Sequence, residues 1–134
     1  MEIRITFPGG KKVNAEMEGL IIPTDQPVEK GGDGTAPSPF IYFLSSLGTC
    51  AGIYVLTFCQ ERNIDTTGLS LTQQMEFSTD TAGKKKLSRV SMNIQLPPGF
   101  PEKYRNAIVK TAELCTVKKA IMEPPEFVIT ASLA

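Results

Sequence analysis

The chain has 134 residues, 41% of them apolar, and its fourteen basic and fourteen acidic side chains cancel. That length predicts a single domain, residues 1–134, with enough apolar material for a core, and the lack of a basic excess argues against a nucleic-acid partner. There is no histidine, which removes Ser-His-Asp and Cys-His catalysis, histidine zinc ligands and histidine proton shuttling.

Three cysteines, Cys50, Cys59 and Cys115, are too few for an all-thiolate tetrahedral site, so no metal centre is expected. An odd cysteine count without a secretory leader predicts a reducing cytoplasmic setting, in which thiols are redox-active or simply buried.

In chain order, Met1, Ile3, Ile5 and Phe7 alternate with polar residues, the pattern of a half-buried strand, until Pro8-Gly9-Gly10 ends it. Val13, Ala15 and Met17 alternate likewise and predict a second strand pairing back on the first. Leu20-Ile21-Ile22 is a short third candidate stopped by Pro23. Thr24 to Pro39 is polar and rich in glycine and proline, and reads as a loop.

A long helix follows, with Ser38 as its cap, Pro39 in its first position and Gln60-Glu61-Arg62-Asn63 as a polar exit. It is apolar on nearly all sides, so it is expected to be central and covered on every face, an arrangement that two packed copies of the chain meet more easily than one. No charged residue occurs from Gly34 to Gln60, which satisfies the length of a membrane span. However, Pro37 and Pro39 open this stretch, and Ser45, Ser46, Gly48 and Thr49 occupy its centre. Such small residues suit tight packing inside a protein, and the flanking amphipathic strands need a core; no membrane span is expected.

Leu69 to Ser78 and Arg89 to Leu96 show the clearest alternation, joined through Thr79 to Lys86 as a hairpin with Gly83 in the turn. Pro101 opens a second helix, on which Tyr104, Ile108, Thr111 and Cys115 fall on one stripe. A short helical turn is expected from Thr116 to Met122 and a closing strand from Phe127 to Ala131. The order β-β-(β)-α-β-β-α-β is an α+β class.

Cys50 lies mid-helix among small residues, so a backbone or a substrate could approach it closely; an isolated helical cysteine is otherwise a small buried hydrophobe. Cys59, nine residues on, is half a turn out of phase and about 13 Å along the axis. That exceeds the reach of about 7 Å a disulfide allows between Cα atoms, which leaves Cys59 as a structural cysteine. Cys115 either closes the second helix or begins the next short one, with Lys118 and Lys119 three and four residues beyond. A thiolate in one helix and a second thiol on a facing helix would suit peroxide reduction, the second thiol trapping a sulfenic acid as a disulfide. Spacing alone does not bring the two together.

Gly31-Gly32-Asp33-Gly34-Thr35-Ala36-Pro37-Ser38-Pro39 followed by Leu44-Ser45-Ser46-Leu47-Gly48-Thr49-Cys50 closely resembles the Gly-Gly…Pro-Ser-Pro…Leu-Gly-Ser-Cys signature of the OsmC/Ohr superfamily, the osmotically inducible and organic hydroperoxide resistance proteins. Glu113-Leu114-Cys115-Thr116-Val117-Lys118-Lys119 is similar to its second block, usually Cys-Pro-Val. The resemblance extends over essentially the whole chain and is nearest to a short branch of the superfamily. It implies an intertwined homodimer with two central helices at its heart and active sites at the subunit interface. It also implies that Cys50 is the peroxidatic thiol, Cys115 the resolving thiol, organic hydroperoxides the substrates and a small or protein dithiol the reductant, without metal, haem, flavin or other cofactor.

Three departures bear on activity. The family glutamate near the start of the central helix is replaced by Phe40, no match for the family arginine is found among Arg4, Arg62, Arg89 and Arg105, and Thr116 replaces the usual proline. A Cys50 without these partners, buried mid-helix, is expected to have a raised pKa and to react slowly unless another cation substitutes. The alternative is a non-peroxidatic module on the same fold, sensing redox state or binding a small hydrophobic ligand among Phe40, Tyr42, Phe43 and Tyr54.

Overall fold

The computed structural model describes residues 1–134 and comprises two compact units, Met1–Ser46 and Leu47–Ala134. The first holds an antiparallel sheet in the order β1 (Arg4–Gly9), β2 (Lys12–Met17) and β3 (Leu20–Thr24). The alternation read from the sequence sets the register: Ile5 faces Ala15 across β1–β2, and Ala15 faces Ile22 across β2–β3. The first strand differs from expectation in burial. Ile5 is 50% and Phe7 78% exposed, because a sheet face is buried only where a second layer covers it, and the single chain leaves these side chains bare.

Beyond β3 the glycine-rich loop is organised by one buried carboxylate. Asp25 accepts hydrogen bonds from the backbone N–H groups of Gln26, Asp33 and Thr35 and from the Thr35 hydroxyl, the last at 2.8 Å. These bonds stabilise the ionised form, those from Thr35 foremost, and lower the Asp25 pKa to about 2. Gly32 is required here, since any Cβ at that position would collide with the Gln26 backbone.

Helix α1 (Pro39–Glu61) starts where the sequence predicts, with the Ser38 hydroxyl accepting from the Ile41 amide at 3.4 Å. It ends at Glu61, and Asn63, two residues on, turns the chain away with a left-handed φ of 53°. Leu44, Leu47, Ala51, Val55 and Phe58, at spacings of three and four, form its buried stripe, while Phe40, Ile41, Phe43 and Ile53 are exposed. The long central helix is therefore buried along one stripe and not on every face, because the single chain supplies no cover for the other side. By length and composition α1 would also pass for a membrane span.

In the second unit, β4 (Ser70–Thr79) and β5 (Lys85–Gln95) form an antiparallel hairpin. Its turn is built by Asp80, whose carboxylate accepts from the Ala82 and Lys84 amides, and by Gly83 at φ 81°. A 3₁₀ turn at Glu102–Tyr104 leads into α2 (Arg105–Ala112), and α3 (Thr116–Met122) follows. The core of this unit joins Val55, Phe58 and Cys59 of α1 to the fully buried Ile108 of α2, with Leu69, Ile94 and Leu96 packed around them. Phe58 meets Tyr104 edge-on at 5.7 Å, and the Arg62 guanidinium lies 3.6 Å over the Phe58 ring.

The expected closing strand, Phe127–Ala131, does not form. Residues 124 to 134 carry no ladder and are exposed, Ile129 at 93%. The segment has the apolar, β-branched composition of a strand, but a strand exists only when an edge accepts its backbone bonds, and here none does. The fold is nonetheless the mixed α+β type expected, with antiparallel strands and three helices.

Candidate active site

Cys115 is not on the stripe of α2, because that helix ends at Ala112, one turn too early. Cys115 instead caps α3. Its sulfur accepts from the Lys118 amide at 3.4 Å and is 3.9 Å from the Leu47 carbonyl oxygen, to which its thiol can donate. The part of Lys118 that reaches the sulfur is thus its backbone N–H.

These contacts bring the start of α3 against α1 at the level of Cys50. Leu47, Cys50 and Tyr54 follow one another at three and four residues, so they share a face of α1. The residues from Cys115 to Val117 lie along that face. The backbone N–H groups of Val117 and Thr116 and the Cys115 thiol lie on the side of the Cys50 sulfur and favour its anionic form. The Tyr54 and Thr116 hydroxyls share a hydrogen bond at 3.3 Å. The single Cys115 proton has two acceptors, and once Cys50 is ionised the charged sulfur is the stronger one.

The electrostatic consequence corrects the sequence reading. The Cys50 pKa is lowered, not raised: the Val117 N–H is the largest cause, and with the Cys115 thiol and the Thr116 N–H it outweighs the desolvation that pushes the other way. The thiol is half-buried and accessible enough to react. Cys59 is the opposite case. It is fully buried in the core, and burial raises its pKa against a smaller lowering by Arg62.

The three arginines of this unit are engaged away from Cys50 and Cys115. Arg62 donates to the Phe58 carbonyl, Arg105 binds Glu102 at 2.9 Å, and Arg89 stands opposite Glu76 on the hairpin. Phe40 stacks on Phe43 with ring centroids 5.7 Å apart. Gly48, one turn before Cys50, lets Gln73 of β4 approach closely: a Cβ there would lie 2.6 Å from the Gln73 side-chain oxygen. A cleft of about 280 Å³ lined by Thr72, Gln74, Ser91, Met92 and Asn93 lies on the opposite face of the hairpin from Gln73, and so on the side away from Gly48. No group of three or more acidic or cysteine side chains is placed to hold a metal ion.

Sequence reasoning singled out both thiols as candidates but missed the backbone N–H groups beside Cys50, because such groups have no residue signature. One sign was available: a proline at 116 could not donate, so its replacement by threonine adds an N–H and a hydroxyl where the site needs them.

No curated protein sequence matches the chain, but residues 32–130 match the family model described as OsmC-like protein. Among solved structures, a protein of Psychrobacter arcticus described as an osmotic stress induced and detoxification response protein superposes with a TM-score of 0.71 at 24% identity, over 88% of this chain and 85% of that one. The organic hydroperoxide resistance protein OsmC of Legionella pneumophila gives 0.60 at 22% identity, over 90% and 89% of the two chains. The organic hydroperoxide resistance protein OhrB of Bacillus subtilis gives 0.58 at 20%, over 92% and 93%. At these identities the structural likeness establishes the fold, and with the family match over most of its length the chain belongs to the OsmC-like protein family.

Proposed function

We propose that the chain reduces organic hydroperoxides by thiol chemistry, with Cys50 as the attacking thiolate and Cys115 as the resolving thiol. The observation that carries this reading is Cys50 itself, half-exposed, with its pKa lowered by the Val117 N–H foremost and with Cys115 brought against the same face of α1 through Leu47. Two of the structural relatives are named for organic hydroperoxide resistance.

In the first step the Cys50 thiolate attacks the terminal oxygen of ROOH. The O–O bond breaks, the sulfur becomes a sulfenic acid, and the alkoxide leaves and takes a proton as ROH. In the second step the Cys115 sulfur displaces hydroxide from the sulfenic acid; with the Cys115 proton this leaves as water, and a Cys50–Cys115 disulfide remains. An external dithiol then reduces the disulfide by exchange. Neither step draws on a metal or an organic cofactor.

In this reading residues 1–134 act as one domain, threaded by the continuous α1, and two copies form a homodimer with the thiols near the subunit interface. The exposed apolar residues of β1, β3, α1 and the C-terminal segment support that assembly, since patches of this extent on a lone chain mark surfaces that become covered. Three free thiols fit a reducing compartment such as the cytoplasm.

The test is to treat reduced protein with cumene hydroperoxide and follow free thiols and intact mass. Wild type should form a Cys50–Cys115 disulfide, Cys115→Ser should accumulate sulfinic or sulfonic Cys50, and Cys50→Ser should be inert. Unchanged thiols at modest peroxide excess would reject the peroxidase reading in favour of a binding module, which a retained ligand in native mass spectra would identify.

A further inference from the structure

Helix α3 has seven residues and none of them is buried. A helix that short has little stability of its own, so its placement depends on the contacts at its first turn. Those contacts lie along one face of α1. The Leu47 carbonyl meets the Cys115 thiol at 3.9 Å and the Tyr54 hydroxyl meets the Thr116 hydroxyl at 3.3 Å; between these levels the N–H groups of Thr116 and Val117 favour the Cys50 anion. The first and last of these levels are seven residues apart on α1, about 10 Å along its axis, with Cys50 between them.

We infer that Tyr54 and Thr116 form a hydroxyl clasp that positions the first turn of α3 over Cys50, so that the backbone N–H groups of Thr116 and Val117 hold the thiolate in place of a side-chain cation. Tyr54 is thereby a positioning residue: it acts through Thr116, fixing the backbone donors beside the sulfur. Thr116 has two separable functions. Its hydroxyl closes the clasp, and its N–H is one of the donors. A proline there would supply neither, although its ring fits the first position of a helix. The inference rests on Cys50 being the reactive thiol of the proposed function, and it extends that reading by naming what favours the thiolate where the sequence shows no match for the family arginine and glutamate.

The test follows the pH profile of Cys50 alkylation by iodoacetamide in the full-length reduced protein, with peptide mapping to separate the three thiols, and so does not depend on peroxide chemistry. Y54F and T116V each remove one hydroxyl and leave every backbone N–H in place. Both should move the alkylation midpoint to higher pH and slow the reaction at neutral pH by roughly three- to tenfold, the scale of one lost hydrogen bond. The double variant should be no worse than either single one, because each breaks the same bond. T116S should restore the wild-type profile, and T116P should give the largest shift. Circular dichroism melts check that each variant is folded, and if T116P is not, Y54F and T116S carry the test. An unchanged profile in Y54F and T116V, or additive shifts in the double variant, would overturn the inference. Shifts as expected in a protein whose thiols ignore cumene hydroperoxide would uphold the clasp while removing the peroxidase reading.

Discussion

Ile108 is the one residue of α2 with no exposure, and it meets Val55, Phe58 and Cys59 of α1, whereas its neighbour Val109 is 47% exposed. Replacing Ile108 by alanine deletes three carbon atoms from this contact. At ~0.8 kcal/mol of transfer free energy per carbon the loss is ~2.4 kcal/mol. Incomplete collapse of the space left behind adds ~1–2 kcal/mol. The total, ~3.4–4.4 kcal/mol, corresponds to a fall in Tm of roughly 12–16 °C for a chain of this size. Val109→Ala deletes two carbons from a site already half in water and should cost about 0.5 kcal/mol or less. The assay is urea unfolding followed by far-UV circular dichroism at one fixed protein concentration, so that any self-association weighs equally on all samples. An Ile108→Ala loss below ~1.5 kcal/mol, or a Val109→Ala loss equal to it, would refute the placement of the α1–α2 core on which the approach of Cys115 to α1 depends.

The other predictions concern the thiols and the loop. In the native protein at neutral pH, alkylation should label Cys50 first, with Cys59 labelled only through unfolding; equal rates for the two would contradict the burial and the raised pKa of Cys59. Asp25 has its folded pKa depressed from 3.8 to about 2, so its contribution to the loop is complete above 3.8 and is lost as pH falls through about 2. Amide exchange at Asp33 and Thr35 should accelerate over that interval beyond the intrinsic pH dependence, and Asp25→Asn should exchange fast at every pH. Protection in Asp25→Asn equal to wild type would show that the carboxylate is not what holds the loop.

Features written in local chemistry were legible without coordinates. The Ser38-Pro39 start of α1 and the Asp80–Gly83 turn of the hairpin are set by side chains bonding to their own neighbourhood, and both occur as the sequence predicts. Features that depend on distant partners were not legible. The alternation in Phe127–Ala131 marks a segment suited to a sheet but cannot supply the edge it needs. The stripe that seemed to carry Cys115 continues past Ala112 only in periodicity, since the chain leaves the helix before reaching it. The lowered pKa of Cys50 was hidden for a further reason: its causes are main-chain donors delivered from sixty-odd residues away, and every residue type but proline carries the same donor.

The amides that favour a negatively charged Cys50 sulfur have nothing comparable to offer a neutral one. A sulfur that is at ease as an anion is also readily expelled in thiol–disulfide exchange. Any bridge between Cys50 and Cys115 would therefore be loosely held, prone to open toward an incoming dithiol with Cys50 departing. Opening would leave Cys115 bonded to the dithiol, whose second sulfur then closes on the first and releases Cys115 to the Lys118 amide that it accepts from in the reduced protein. The turnover of such a catalyst is eased on its return half-cycle by the same bonds that prime its attack.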